Sequence, residues 1–172
     1  MFLKGREKNM LQKMKNRLKD QRGLTLIELL AVIVILGIIA AIAVPSIAKI
    51  VDNSKLDAHV ANAEQIISSA KLAVTENAEL QLGNKYLTVE YLQSAGYIDT
   101  VKDPDGEGYT LGENDSFEEV KALSAAPAGS YVKVVKGKVT EIKLVNATRG
   151  IQSAATSGVA ISVDNLTRDS IK

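Results

Sequence analysis

Residues 24–44 read LTLIELLAVIVILGIIAAIAV, and Glu28 is the only charged side chain among these 21. At about 1.5 Å of rise per residue, such a run in helical form covers roughly 30 Å, the thickness of a bilayer hydrocarbon core. Length and composition predict a helix able to span a membrane. A secretory signal peptide would end an apolar region of about 7–15 residues at a small-residue cleavage site. Apart from Ala40 to Ala43 there is no such exit signal, and the helical pattern continues past it. A plain uncleaved anchor fits length and charge equally well, but it explains neither a carboxylate inside the span nor Gly23 at its edge.

Working outward, residues 1–23 carry eight basic and two acidic side chains, a net +6, whereas the rest of the chain has 13 basic and 18 acidic, a net −5. Lys and Arg in a short flanking segment resist translocation, so the head is expected in the cytoplasm and everything after the span outside. Met10 or Met14 could begin a shorter leader that still precedes Gly23. The near-neutral total charge of +1 gives no reason to expect nucleic acid as a partner. Cysteine is absent, which excludes disulfides, thiolate metal sites and a cysteine nucleophile. The single histidine, His59, cannot build a histidine-based zinc site alone and reads as a solvated surface residue on a polar helical stretch. No nucleophile–base pair, phosphate loop or metal cluster emerges, so neither catalysis nor a cofactor is expected.

Beyond Pro45 the chain turns amphipathic. Val60, Ala63, Ile66, Ile67, Ala70 and Val74 recur at helical spacing, with Asp57, Glu64, Lys71 and Glu76 elsewhere around the wheel. One helix from Leu24 to about Leu82 would be on the order of 85 Å long, with Gly83-Asn84 as its stop. Gly37 and Pro45 are weak helix formers, and Pro45 predicts a kink or locally unwound segment near Ala41 to Ala48. A short helix is expected from Val89 to Ala95, capped by Thr88 and ended by Gly96. Turns are expected from Asp103 to Ser116. Ser130–Val135 and Val139–Val145 flank Lys136-Gly137-Lys138 as a β-hairpin, and Val159–Val163 adds a strand. The fold class is α+β: a long N-terminal helix whose amphipathic half packs on a small antiparallel sheet.

The stretch Arg22-Gly23-Leu24-Thr25-Leu26-Ile27-Glu28-Leu29 closely resembles the processing site of type IV prepilins and pseudopilins, a basic residue followed by Gly-Phe-Thr-Leu-Ile-Glu-Leu. The likeness continues to Pro45, about the first third of the chain, and Leu24 stands where the family most often has Phe. The resemblance implies three parts: a basic leader over 1–23, a transmembrane or filament-core helix over 24–45, and an extracytoplasmic domain over 46–172. It implies cleavage between Gly23 and Leu24 by a prepilin peptidase that also methylates the amino group of Leu24, and Gly23 suits a close approach to the backbone. A carboxylate inside an apolar span costs about 2.5–3.5 kcal/mol and reads as functional by default; the resemblance assigns Glu28 to pairing with a neighbouring subunit's amino terminus, setting filament register. In pilins a proline like Pro45 accompanies a bend.

The same resemblance implies a homo-oligomeric helical filament, an assembly ATPase and a platform protein. The precursor would cross the membrane once, and the mature filament would lie at the cell surface. Absence of Cys departs from the disulfide-closed loop of many Gram-negative pilins and favours a major pilin of Gram-positive type. The alternatives are a pseudopilin of a type II secretion or competence system, and a minor pilin or adhesin that binds a ligand. Asp103-Pro104-Asp105-Gly106-Glu107-Gly108-Tyr109 looks like the Asp-Pro-x-Gly-x-x-Tyr stretch of major pseudopilins, some of which bind calcium nearby. Asp103, Asp105 and Glu107 alternate as in a calcium loop, but Asn114 replaces the Glu expected at the twelfth position, so a simple turn is the preferred reading.

Overall fold

The computed structural model describes residues 4–155 and 158–172, with side chains at Gln12, Lys15 and from Thr25 onward. The chain divides into two compact units, Met1–Ile50 and Val51–Lys172. Helix α1 spans Lys4–Glu76 with Pro45 inside it. It begins well before Leu24, because residues 6–22 hold good helix formers and a single glycine such as Gly23 costs only about 1 kcal/mol relative to Ala. The unwound segment expected over Ala41 to Ala48 is not present, since α1 stays helical through it. Pro45 lacks the N–H that would bond the Ala41 carbonyl, and Ser46 Oγ donates to the carbonyl of Ile42 at 3.1 Å.

In the second unit, α1 ends at Glu76 rather than near Leu82. Asn77 leaves the helix with an extended backbone (φ −117°, ψ 101°), and its Nδ2 donates to the Tyr97 hydroxyl at 2.8 Å. Gln81 Nε2 donates to the carbonyl of Val74 at 3.1 Å, so a side-chain amide satisfies a terminal carbonyl that another helical turn would have taken. A 3-10 turn over Ala78–Gln81 follows, and then strand β1, Asn84–Thr88. Helix α2 covers Val89–Ser94, with Thr88 Oγ1 accepting from the Tyr91 amide at 3.1 Å as its cap. Helix α3, Phe117–Ala122, is capped by Ser116.

Strands β2 (Tyr131–Val135) and β3 (Lys138–Val145) form the expected hairpin. Lys136 and Gly137 both have positive φ, +49° and +77°, as a two-residue turn matched to strand twist requires. With β4 (Gly150–Ile151) the sheet runs β1-β2-β3-β4, and β5 (Ile161–Ser162) pairs antiparallel with β3.

The core lies between the last turns of α1 and one face of the sheet. Ala63, Ile66, Ile67, Ala70, Ala73 and Val74 meet Leu87, Val132, Val134, Val139, Ile142 and Leu144. Asp57, Glu64, Lys71 and Glu76 face solvent, so the wheel divides as its spacing predicts. Gly129 shows how tightly the β1–β2 corner is built. Its φ is +80°, and a Cβ there would sit 2.9 Å from the Gly112 amide nitrogen and the Thr110 carbonyl. Gly129→Ala is expected to destabilise the second unit by about 2–4 kcal/mol, combining left-handed strain with a backbone clash. Gly106→Ala, where φ is also positive but space is open, should cost about 1 kcal/mol from strain alone. Urea unfolding of the two variants checks the difference.

Candidate functional site

Two places in the chain concentrate chemistry. The first is a buried cluster around His59. The side chain is 2% exposed, which corrects the expectation of a solvated surface residue. His59 sits four residues before Ala63 and seven before Ile66, so the stripe that buries those residues also buries it. Polar partners make that burial tolerable. Nδ1 lies 2.7 Å from the Tyr109 hydroxyl and Nε2 lies 3.0 Å from Asp105 Oδ2. Asn62 Nδ2 donates to the Tyr109 hydroxyl at 3.0 Å, leaving the phenolic hydrogen for Nδ1. With the ring neutral and its proton on Nε2, both nitrogens are satisfied; this tautomer follows from the bonding network.

Asp105 is surrounded by donors. Arg149 Nε lies 2.9 Å away and Lys55 Nζ 3.3 Å, while Asn146 Nδ2 bridges Asp105 and both oxygens of Asp103. Arg149 also reaches Asp52 at 3.0 Å. The cluster therefore ties α1 to the 103–109 loop and the 146–149 turn, segments far apart in sequence. Burial pushes the Asp105 carboxyl up, but bonds from His59, Asn146 and Lys55 and the Arg149 charge outweigh it and hold the group below its ordinary value of 3.8. Burial is also the main cause that pushes Tyr109 up to about 12; the Asn62 bond opposes it, and the charges of Asp103 and Asp105 add to it.

A carboxylate with a depressed folded value stabilises fully above its unfolded value and loses that contribution as pH falls through the folded one. Acid unfolding of the chain in detergent should therefore steepen below pH 3.8. Asp105→Asn should flatten that limb while lowering stability at pH 7, as pH-dependent circular dichroism would record.

Of the three residues considered for calcium, Asp103 and Asp105 come together, with ligand atoms of both and of His59 within 4.8 Å of one another. Glu107 instead accepts from Thr148 Oγ1 at 3.4 Å. An ion between the two aspartates would have to displace Lys55 and Arg149, so the chemistry of the set is that of a neutralised clasp.

The second place is the N-terminal segment. Gly23 and Leu24 lie in α1, and the Leu24 side chain is outside the described residues. From Leu26 to Val51 every large apolar side chain is half exposed or more, from Val51 at 50% to Ile42 at 70%, and Glu28 is exposed among them. Taking one Val, Leu or Ile out of water contributes roughly 1.5–3 kcal/mol, so sixteen bare ones demand lipid or other protein around them. A Cβ on Gly37 would meet nothing within 4 Å, which leaves that face equally open. Thr25–Glu76 is long and apolar enough to cross a membrane.

Residues 18–44 match the family described as the prokaryotic N-terminal methylation motif. This motif supports a type IV pilin-like protein. The matched segment takes in Gly23, Leu24, Glu28 and Gly37 and stops one residue short of Pro45. The motif and the apolar helix together fit a membrane-anchored precursor. Comparisons with curated proteins and with solved structures each gave no match. The pilin-like likeness thus rests on the first third of the chain, while the sheet and the His59 clasp stand on their own geometry.

Proposed function

We propose that this chain is the major structural subunit of a type IV pilus or pilus-like filament. A leader over 1–23 is removed between Gly23 and Leu24 by a prepilin peptidase, which methylates the Leu24 amino group. An assembly ATPase and a platform protein then draw the subunit out of the membrane. Segments 24–45 form the filament core, and residues 46–172 form the surface domain. Pro45 supplies a point where α1 can bend or loosen during that passage, because one ladder bond is already missing. The observation that carries this reading is an apolar helix with every large side chain bare and one carboxylate inside it, coinciding with the methylation motif.

After the cut Glu28 lies one helical turn from the new amino terminus, where the helix dipole and the ammonium both favour its charged form. Sister helices bury the apolar side chains, and pairing of Glu28 with a neighbour's ammonium fixes their stagger. Mechanical shearing of cells that make the protein should release filaments composed of this chain, visible by negative-stain microscopy. Long filaments support a major pilin. Filaments seen only as short stubs on overproduction support the pseudopilin alternative, and a chain found only in the membrane fraction contradicts both.

A further inference from the structure

We infer that neighbouring surface domains in the filament meet head to tail, the acidic 113–119 segment of one copy against the basic hairpin of the next. The inference rests on the filament reading proposed above. Residues 113–119 hold Glu113, Asp115, Glu118 and Glu119 and no basic group, a net −4; the hairpin turn over 136–138 holds Lys136 and Lys138 and no acid, a net +2. All four acids are exposed, as are Lys136 and Lys138 at the hairpin turn. Among the described residues Glu118 pairs with Lys121 and Lys133 with Glu141. Among the described residues no ion pair engages Glu113, Asp115, Glu119, Lys136 or Lys138.

The topology sets the two charges apart. Thr88 Oγ1 donates to the carbonyl of Asn114, which fixes the start of the acidic segment, with Glu113 and Asp115, at the C-terminal end of β1. The Lys136 amide donates to the carbonyl of Gly83 at 2.7 Å, which fixes the basic turn at the other end. Five residues of strand separate them, roughly 15 Å. Each end also has an apolar element. Leu82, 70% exposed, stands beside the basic turn, and a groove of about 320 Å³ lined by Leu123, Ala126 and Pro127 has Glu113 and Asn114 on its wall.

Leu82 of one copy seated in that groove brings Lys136 and Lys138 over Glu113, Asp115 and Glu119 of the next. Like ends facing each other would set −4 against −4 or +2 against +2, which is repulsive. Unlike ends make a heterologous contact that repeats without closing on itself, the symmetry a helical filament needs.

Charge exchange tests this in cells, with sheared filament measured by quantitative immunoblot and leader removal followed in the same samples. Lys136→Glu with Lys138→Glu should lower filament yield at least tenfold, and so should Glu113→Lys with Asp115→Lys and Glu119→Lys. Both sets placed in one chain should restore it to within about twofold of wild type. Leu82→Ala should reduce the yield severalfold, and Lys136→Arg with Lys138→Arg should leave it unchanged, which guards against loss through misfolding. If wild type forms filaments and the reversed variants form them equally well, this contact is wrong while the filament reading stands. Failure of the exchanged chain to recover when each reversal alone is defective also overturns it. If wild type forms no filament, the underlying reading falls and this inference falls with it.

Discussion

Replacing Glu28 with alanine should leave leader removal intact and abolish filament formation. The side chain is the one charge in an apolar run whose neighbours are all exposed. In an assembled core it would be desolvated, and so would the ammonium it is proposed to pair with. Removing one partner of a buried ion pair costs about 3–5 kcal/mol, because the other charge is left uncompensated. That is more than a hundredfold in the association constant of every added subunit. Glu28→Gln keeps shape without charge and should fail almost as badly. Glu28→Asp keeps charge on a shorter arm and should assemble in part. Membrane retention of a processed Glu28→Ala chain, read from fractionation and immunoblot, is the expected result; wild-type amounts of sheared filament would remove Glu28 from assembly.

The largest effect on the surface domain should come from His59. His59→Ala removes a buried ring and both of its hydrogen bonds, leaving the Tyr109 hydroxyl without its acceptor and Asp105 without one donor. Cavity formation and lost bonding together should cost about 3–5 kcal/mol. That is a large share of the 5–15 kcal/mol that holds an ordinary domain together, and it corresponds to about 10 °C or more in Tm. Tyr109→Phe keeps the ring and loses only the hydroxyl, so about 1–2 kcal/mol is expected. Thermal melts of the matured chain in detergent would rank these variants. A surface histidine would change stability by no more than about 0.5 kcal/mol, so a silent His59→Ala would contradict the buried clasp.

His59 also shows where the amino-acid sequence is legible and where it is not. Its position relative to Ala63 and Ile66 is that of the core stripe, and extending the stripe one turn upstream would have placed it inside. The neighbouring Asp57, Lys55 and Asn62 make the stretch look wet, because the partners that satisfy the ring, Tyr109 and Asp105, are about fifty residues away. Long-range polar pairing leaves no periodic trace. The hairpin around Lys136-Gly137, the Thr88 cap and the division of the α1 wheel are local, and the residues that form them announce them.

Strand β1 is less visible: Asn84–Thr88 is short, follows a helix stop and owes its conformation to pairing with β2, residues 131–135. Helix α3 has only six residues and is set by its Ser116 cap and its packing on β1. The early end of α1 turns on side-chain bonds from Asn77 to the Tyr97 hydroxyl and from Gln81 to the Val74 carbonyl, where the sequence offers Gly83 as the more obvious stop. In the N-terminal segment the order of inference reverses. The apolar run, the lone carboxylate and the glycine at the junction are all sequence features, and the fold adds that each large apolar side chain from Leu26 to Val51 is at least half exposed.

The most direct test of the central claim is intact-mass and N-terminal analysis of the chain recovered from sheared filaments. The account predicts a polypeptide that has lost its first 23 residues, begins at Leu24 and carries one methyl group on its amino nitrogen. A chain that keeps its leader and never leaves the membrane fraction would contradict it.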